Sequence, residues 1–451
     1  FPEEATQPQI GDTFALHSLA APQSRSHLLR SSAAHLLKVW ESLSPTLPLP
    51  GLTPELSQAL WGGEREAQEH WLDPTQRDER ERQTAAAAHT FLDLVRQALP
   101  LLPPGPSLLH HALERWLSLL HKAITDEFVI QANDDARHAT ARHATGKERG
   151  SFVLGSSVDP EATFRKHGEQ NDLGYNIHVS ATRHFVREIF ATTGAVPDGA
   201  GVARLIAHQR EQGHPLPPKL IYDRAAGSPK LFHDVDQASQ GQTQLVATLI
   251  DHSKRSSRFG PLDFTLNQDG SLTCPAGQTT TIVYRSNAAD GWTYRFPAKQ
   301  CQDCPLWEAC RGPLPQQPPT PENAPATACQ AEKPATKRKG PGPKSHRQVF
   351  ISSYRSMQRT AILYTQTEAF LLDMKLRPLI EGTIACLVRY NGARHARGLG
   401  LVNADCQVRG AALAFNLKRW HTLTLAREKA QRIRTKGTAT LDERPPEVPD
   451  G

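Results

Sequence analysis

Nothing in this chain of 451 residues approaches the roughly 20 consecutive apolar residues that a membrane helix needs; every candidate stretch is broken by Arg, Asp or Pro within a dozen positions. The first residues, Phe1 to Ile10, lack both the basic start and the apolar run of a secretory leader, so neither insertion nor export is expected of this segment. An initiator Met is missing, and Met357 and Met374 are the only two methionines, so the segment is read as starting inside a longer reading frame or after processing. Cysteine is sparse and odd in number, seven in all, which argues against a disulfide framework. Four of the seven crowd between Cys274 and Cys310, the pattern of a metal or thiol cluster in a reducing compartment. The net charge is only +6, yet residues 331–440 hold 21 Lys or Arg against 6 Asp or Glu, leaving 31 against 40 elsewhere. A local cationic excess of that size attracts phosphate backbones by counterion release, although a solvated surface would look alike in composition.

The spacing of apolar residues divides the chain. Residues 1–125 read as a helical subdomain with no strand-like alternation longer than four residues, helices being expected over 26–43, 84–101 and 108–124. Residues 150–234 change period: Tyr175, Ile177, Val179 and Ala181 alternate with polar neighbours, 201–212 reads as helix, and Leu220-Ile-Tyr ends on Asp223. Strand, helix and strand in that order predict an α/β core with a carboxylate at a strand's C-terminal end. Residues 235–310 read as an inserted β-rich module, and 311–346 as a Pro-rich, disordered linker carrying Lys337-Arg338-Lys339. Helices return over 347–430, and 431–451 reads as a flexible tail.

Two constellations carry chemistry. Cys301 and Cys304 form a C-x2-C pair that can turn two thiolates onto one Zn²⁺, and Cys274 and Cys310 would complete a closed, structural four-thiolate site. The null alternative is four free, reduced thiols. Cys329, Cys386 and Cys406 fall outside this set, Cys386 reading as a small buried hydrophobe. The second constellation is carboxylates at element ends: Asp223 after its strand, and Glu381 ahead of Arg389, Arg394 and Arg397. Carboxylates from separate elements can hold two Mg²⁺ for in-line phosphoryl transfer. Singly, Asp223 reads as a turn residue, and Glu381 with Arg377 as an i, i+4 helix pair.

Five segments, in this order, resemble the DDE transposases of bacterial insertion sequences: Asp159-Pro-Glu-Ala-Thr-Phe with Gly174-Tyr-Asn-Ile-His-Val downstream, Leu220-Ile-Tyr-Asp-Arg-Ala-Ala-Gly-Ser, Cys274-Pro-Ala-Gly, Phe296-Pro-Ala-Lys-Gln-Cys-Gln-Asp-Cys-Pro-Leu-Trp-Glu-Ala-Cys310, and Arg377-Pro-Leu-Ile-Glu through Arg397. The resemblance spans about residues 150–425 and closes on Asn416-Leu-Lys-Arg419. It implies a ribonuclease-H-like mixed-sheet core interrupted by the β-rich insertion, and DNA strand cleavage and transfer with two Mg²⁺. By it, Asp223 is the second catalytic Asp and Glu381 the catalytic Glu, with Arg377 the Arg that precedes it. Met374 stands where the family has Tyr, and Val388 where it has Lys. The first Asp is expected before Phe1, with Asp159 the best substitute inside the chain and Asp126 the next; for both, a structural turn role is weighed above catalysis. Arg377, Arg389, Arg394, Arg397, Lys418 and Arg419 are the expected DNA contacts, Mg²⁺ and a structural Zn²⁺ the expected cofactors. A homodimer on DNA, in the cytoplasm at the nucleoid and without membrane contact, is the expected state. The rival readings are an inactive, truncated remnant that still binds DNA, and a nuclease of the same fold.

Overall fold

The computed structural model describes all residues except 63–71, 105–106, 132–138, 151, 168, 250–257, 287–289, 313–345 and 443–451. The chain is mixed α/β and divides into two compact units, one of Phe1–Ile10 with Val202–Pro378 and one of Gly11–Gly201 with Leu379–Gly451. No helix among the described residues is long and apolar enough to cross a membrane.

In the second unit the sequence builds a helical layer and a sheet. The helices Arg25–Leu43, Pro54–Trp61, Pro74–Ala98 and Leu108–Glu127 start where side-chain oxygens meet orphan amides: Ser24 accepts from His27 N, Thr53 from Leu56 N, Asp73 from Thr75 N and Ser107 from His110 N. Their apolar stripes close on one cluster, in which Leu29, Leu36, Trp40, Phe91 and Leu120 are at most 1% exposed. The chain does not open on a helix bundle, however. Gln9–His17 is a strand, which corrects the all-helical reading of residues 1–125. Its inward positions Ile10, Phe14 and Leu16 are apolar, but Asp12 stands among them and breaks the alternation on which the expectation relied.

The strand Gln170–Ala181 pairs antiparallel with Thr163–His167 and with Val186–Thr193 and neighbours the Asp12 strand. That last approach explains Gly174. A Cβ there would sit 2.2 Å from the Leu16 carbonyl oxygen and 3.0 Å from His17 Cα, so only glycine lets the two backbones meet. We expect Gly174→Ala to lower stability by about 2 kcal/mol or more, since backbone atoms cannot swing aside. A melting curve superimposed on the wild type would refute this.

The helix Leu401–Asp442 lays Ala404, Val408, Ala411, Ala412 and Phe415 against the Val186–Thr193 strand. Asn416 brackets that strand's start, accepting from Val186 N at 2.9 Å and donating to Val186 O at 2.9 Å. The helix runs to Asp442, through most of the stretch read as a flexible tail.

In the first unit, Gln9 and Ile10 pair in parallel with Leu220 and Ile221, and the strand Lys219–Ile221 pairs in parallel with Gln244–Val246. The helix Val202–Glu211 leads into the strand Lys219–Ile221, and Pro229–Ser239 joins that strand to Gln244–Val246. The β-rich module starts later than residue 235, because Pro229–Ser239 is helix and Gln244–Val246 belongs to the parallel set. It consists of two small antiparallel sheets, Thr265–Leu266, Leu272–Thr273 and Thr279–Thr280 in one and Val283–Arg285, Gly291–Phe296 and Arg347–Ser352 in the other. They enclose a cluster of Phe264, Leu272, Tyr294, Phe296, Val349 and Ile351. Most of the Pro-rich segment, with its basic triplet and Cys329, lies outside the described residues.

Candidate functional site

Asp223 follows directly on a buried strand end. Leu220, Ile221 and Tyr222 are fully buried, and Tyr222 N donates to Val246 O at 2.9 Å, extending the parallel pairing to the residue before the carboxylate. The chain then turns into the short 3-10 helix Arg224–Ala226, which Asp223 caps by accepting from Ala225 N at 2.8 Å. Its other carboxylate oxygen faces Arg377 at 3.9 Å, with the side chains 34% and 31% exposed. Two residues far apart in sequence, each singled out separately, therefore meet inside one unit.

Arg377 is not on a helix with Glu381. The helix Pro378–Tyr390 begins one residue after it, so Arg377 stands just outside the helix, and its guanidinium faces Asp223. Glu381 lies in the first turn of that helix and is exposed, where orphan backbone amides favour a negative charge. It belongs to the other compact unit from Asp223.

Asp159 has both carboxylate oxygens engaged within the fold. It is fully buried, and its carboxylate accepts from Ser18 Oγ at 2.7 Å, from Tyr175 Oη at 2.6 and 2.7 Å, and from Gly400 N at 3.1 Å. Glu161 accepts from Leu401 N at 2.8 Å, so the Asp-Pro-Glu segment caps the start of the long C-terminal helix. Burial, and then the carboxylate beside it, pushes the Tyr175 hydroxyl well above the usual tyrosine range, so Tyr175 remains a donor. Asp126 is equally committed, buried and paired with Lys122 at 2.7 Å.

The sequence reading missed Asp12. It is half-buried, on the same strand face as Ile10, Phe14 and Leu16, and it accepts from Thr13 N at 2.8 Å. The signal was a carboxylate at an inward strand position, where a hydrophobe is the rule.

Two of the six expected DNA contacts fall on one loop. Arg389 is exposed at the end of the Glu381 helix, Arg394 and Arg397 are exposed in the loop 391–400, and Lys418 and Arg419 lie on the long helix. Lys418 Nζ donates to Asn391 Oδ1 at 3.0 Å, and Arg419 approaches His184 Nδ1 at 3.5 Å.

Cys274, Cys301 and Cys310 pack against the β-module cluster, and all four thiols of the set are free. Burial is the largest influence on Cys301 and Cys310, pushing both thiols up, and Cys274 and Cys304 act on both. Among the described residues, no group of three or more His, Cys, Asp and Glu is gathered so as to hold a metal ion, so the expected closed four-thiolate site is not assembled. The thiols instead sit as small hydrophobes at the cluster's edge.

Residues 273–421, about a third of the chain, match the family model for the transposase DDE domain. The match supports a DDE-type transposase. No curated protein and no solved structure matches the chain. The transposase match includes the cysteine set, Arg377, Glu381 and the basic loop, and it stops short of Asp12 and Asp223, which precede it in sequence.

Proposed function

We propose that the chain is an insertion-sequence transposase that cuts and joins DNA strands and has a ribonuclease-H-like core, with Asp223 and Glu381 as catalytic carboxylates and Asp12 as a candidate for the first Asp. The observation that carries this reading is the Asp223–Arg377 pair: the carboxylate at a strand's end meets the Arg that opens the Arg-x3-Glu motif of the matched domain. The strand pairings support the core, since one unit has an antiparallel set beside Gly11–His17 and the other a parallel set beginning at Gln9 and Ile10. Asp12, a carboxylate at an inward strand position, is favoured over Asp159, whose oxygens are already engaged.

Carboxylates suit Mg²⁺, a hard cation that takes oxygen ligands and keeps several waters, and none of Asp12, Asp223 and Glu381 is buried. When bound, Mg²⁺ supplies charge stabilisation at the phosphate and an activated oxygen nucleophile. The chain's own part is to hold the carboxylates in place: Asp223 caps the turn Arg224–Ala226 beside Arg377, and Glu381 sits in the first turn of its helix. The test is the full chain with Mg²⁺ and a duplex carrying the element's own terminal repeats. Transposition products support the reading; nicks without joining favour the nuclease, and binding without cleavage favours the inactive remnant.

The cysteines support a second, structural proposal, a Zn²⁺ that draws Cys274, Cys301, Cys304 and Cys310 inward. What favours it is that three of them line one small cluster while Cys304 lies in the same Cys301–Cys310 turn. Protein purified without chelator is expected to carry one zinc per chain, and Cys304→Ser to lower the melting temperature by several degrees. Zinc-free protein with an unchanged melt in the variant would leave four reduced thiols.

A further inference from the structure

The loop between the Glu381 helix and the long C-terminal helix presents Arg394 and Arg397 to solvent, and neither guanidinium has a hydrogen-bond or ion-pair partner among the described residues. Exposed cations on a loop would ordinarily be mobile, yet this backbone is held from several sides. His17 N donates to Arg394 O at 3.0 Å and Ala396 N donates to His17 O at 2.8 Å, a short parallel bridge to the end of the Asp12 strand. Ala393 and Ala396 are buried, anchoring the loop between its arginines. Gly392 has φ +76°, and a Cβ there would lie 2.7 Å from the Arg397 guanidinium, so the Arg397 side chain folds across a position only glycine leaves open.

One side chain joins these constraints. Gln407, on the first turns of the long helix, donates through Nε2 to Gly392 O at 2.7 Å and to His395 O at 2.8 Å, and accepts through Oε1 from Arg397 N at 2.8 Å. A single amide thus uses both donors and its acceptor on three backbone groups that bracket both arginines. Nothing but a primary amide of this length can do all three: Glu lacks the donors, Met has neither function, and Lys lacks the acceptor.

We propose that Gln407 is a positioning residue that presets Arg394 and Arg397 for contact with consecutive phosphates of a DNA backbone. This rests on the reading of the loop as a DNA-binding element. Fixing the backbone beforehand removes ordering entropy from the binding step, and two cations that cannot pair internally are left to the phosphates.

The experiment measures binding of the full chain to a short mixed-sequence DNA duplex over a range of salt, for wild type, Gln407→Met, Gln407→Glu, Arg394→Ala with Arg397→Ala, and the triple variant. The arginine pair is expected to make the slope of log K against log salt shallower by about two and Gln407→Met by about one to two, at an unchanged melting temperature. Gln407→Glu, which keeps only the acceptor, should resemble Gln407→Met, and keeps the test open if Met perturbs folding. In the arginine-free background, Gln407→Met should have no further effect, the signature of a residue that acts through the two arginines. If the arginine pair leaves the slope unchanged, the loop is not a DNA contact and the underlying reading falls. If the arginines matter but neither Gln407 variant weakens binding, or Gln407→Met weakens it equally without them, the positioning role is overturned and the DNA reading stands.

Discussion

Asp223→Asn is expected to reduce strand cleavage by about 10²–10³-fold, the scale of losing one preorganised electrostatic partner of a reaction's charge. The substitution is nearly isosteric. Asn can still accept from Ala225 N, which caps the turn at Arg224–Ala226, so the local backbone should persist. What vanishes is the negative charge that faces Arg377 at 3.9 Å and would ligate Mg²⁺. Because that pair is about a third exposed, its loss should cost little stability, and the melting temperature without metal should stay close to wild type. The shift in melting temperature on adding Mg²⁺ should shrink, a readout independent of turnover. Wild-type cleavage by Asp223→Asn, in protein that cleaves normally otherwise, would end the assignment of this residue. Asp12→Asn should behave in the same way, and an active Asp12→Asn would return the search for the first carboxylate to residues outside the chain.

Asp159→Ala should act in the opposite sense, costing stability and not chemistry. The fully buried carboxylate is the shared acceptor of Ser18 Oγ, Tyr175 Oη and Gly400 N. Removing it takes the shared acceptor from the buried Tyr175 hydroxyl and two part-buried donors, at about 1–3 kcal/mol for each donor left unsatisfied, so a loss of roughly 3–5 kcal/mol is expected. Chemical denaturation read by fluorescence or circular dichroism measures this directly through the midpoint. Cleavage per folded molecule, assayed below the new midpoint, should remain near wild type. A variant of unchanged stability that fails to cleave would restore Asp159 to the catalytic set and displace Asp12. Asp159→Asn is the milder companion: its amide keeps one acceptor for Tyr175, so its loss should be smaller.

The sequence by itself determined the helical faces, because capping residues and apolar spacing act within a few positions: Ser24, Thr53, Asp73 and Ser107 start helices where their side chains can reach the first free amides. It also determined Asp223 as a carboxylate at a strand's end, since Leu220-Ile-Tyr is an uninterrupted buried run. The motif containing Arg377 and Glu381 was legible as a string of residues, and the DDE match falls on it. The contact between Arg377 and Asp223 was not legible. The helix starts at Pro378, where a ring without an N–H suits the first turn, so Arg377 lies just outside it, and its partner Asp223 is far away in sequence.

Only the tertiary structure decided Asp12, Asp159 and Gln407, and for one physical reason: a side chain's task is set by partners that sequence distance hides. Asp12 breaks an alternating strand and so disguised the strand itself; parallel pairing of Gln9 and Ile10 with Leu220 and Ile221 reveals both strand and carboxylate. Asp159 sits in a motif that suggested chemistry, yet burial beside Tyr175 and Gly400 turns it into a cap. Gln407 bears no local mark at all in a helix of mixed polarity, and its three bonds reach residues ten or more positions away. Local rules select which groups are present and how the backbone turns near them, whereas long-range packing selects which of those groups are left free to meet a metal ion or a phosphate.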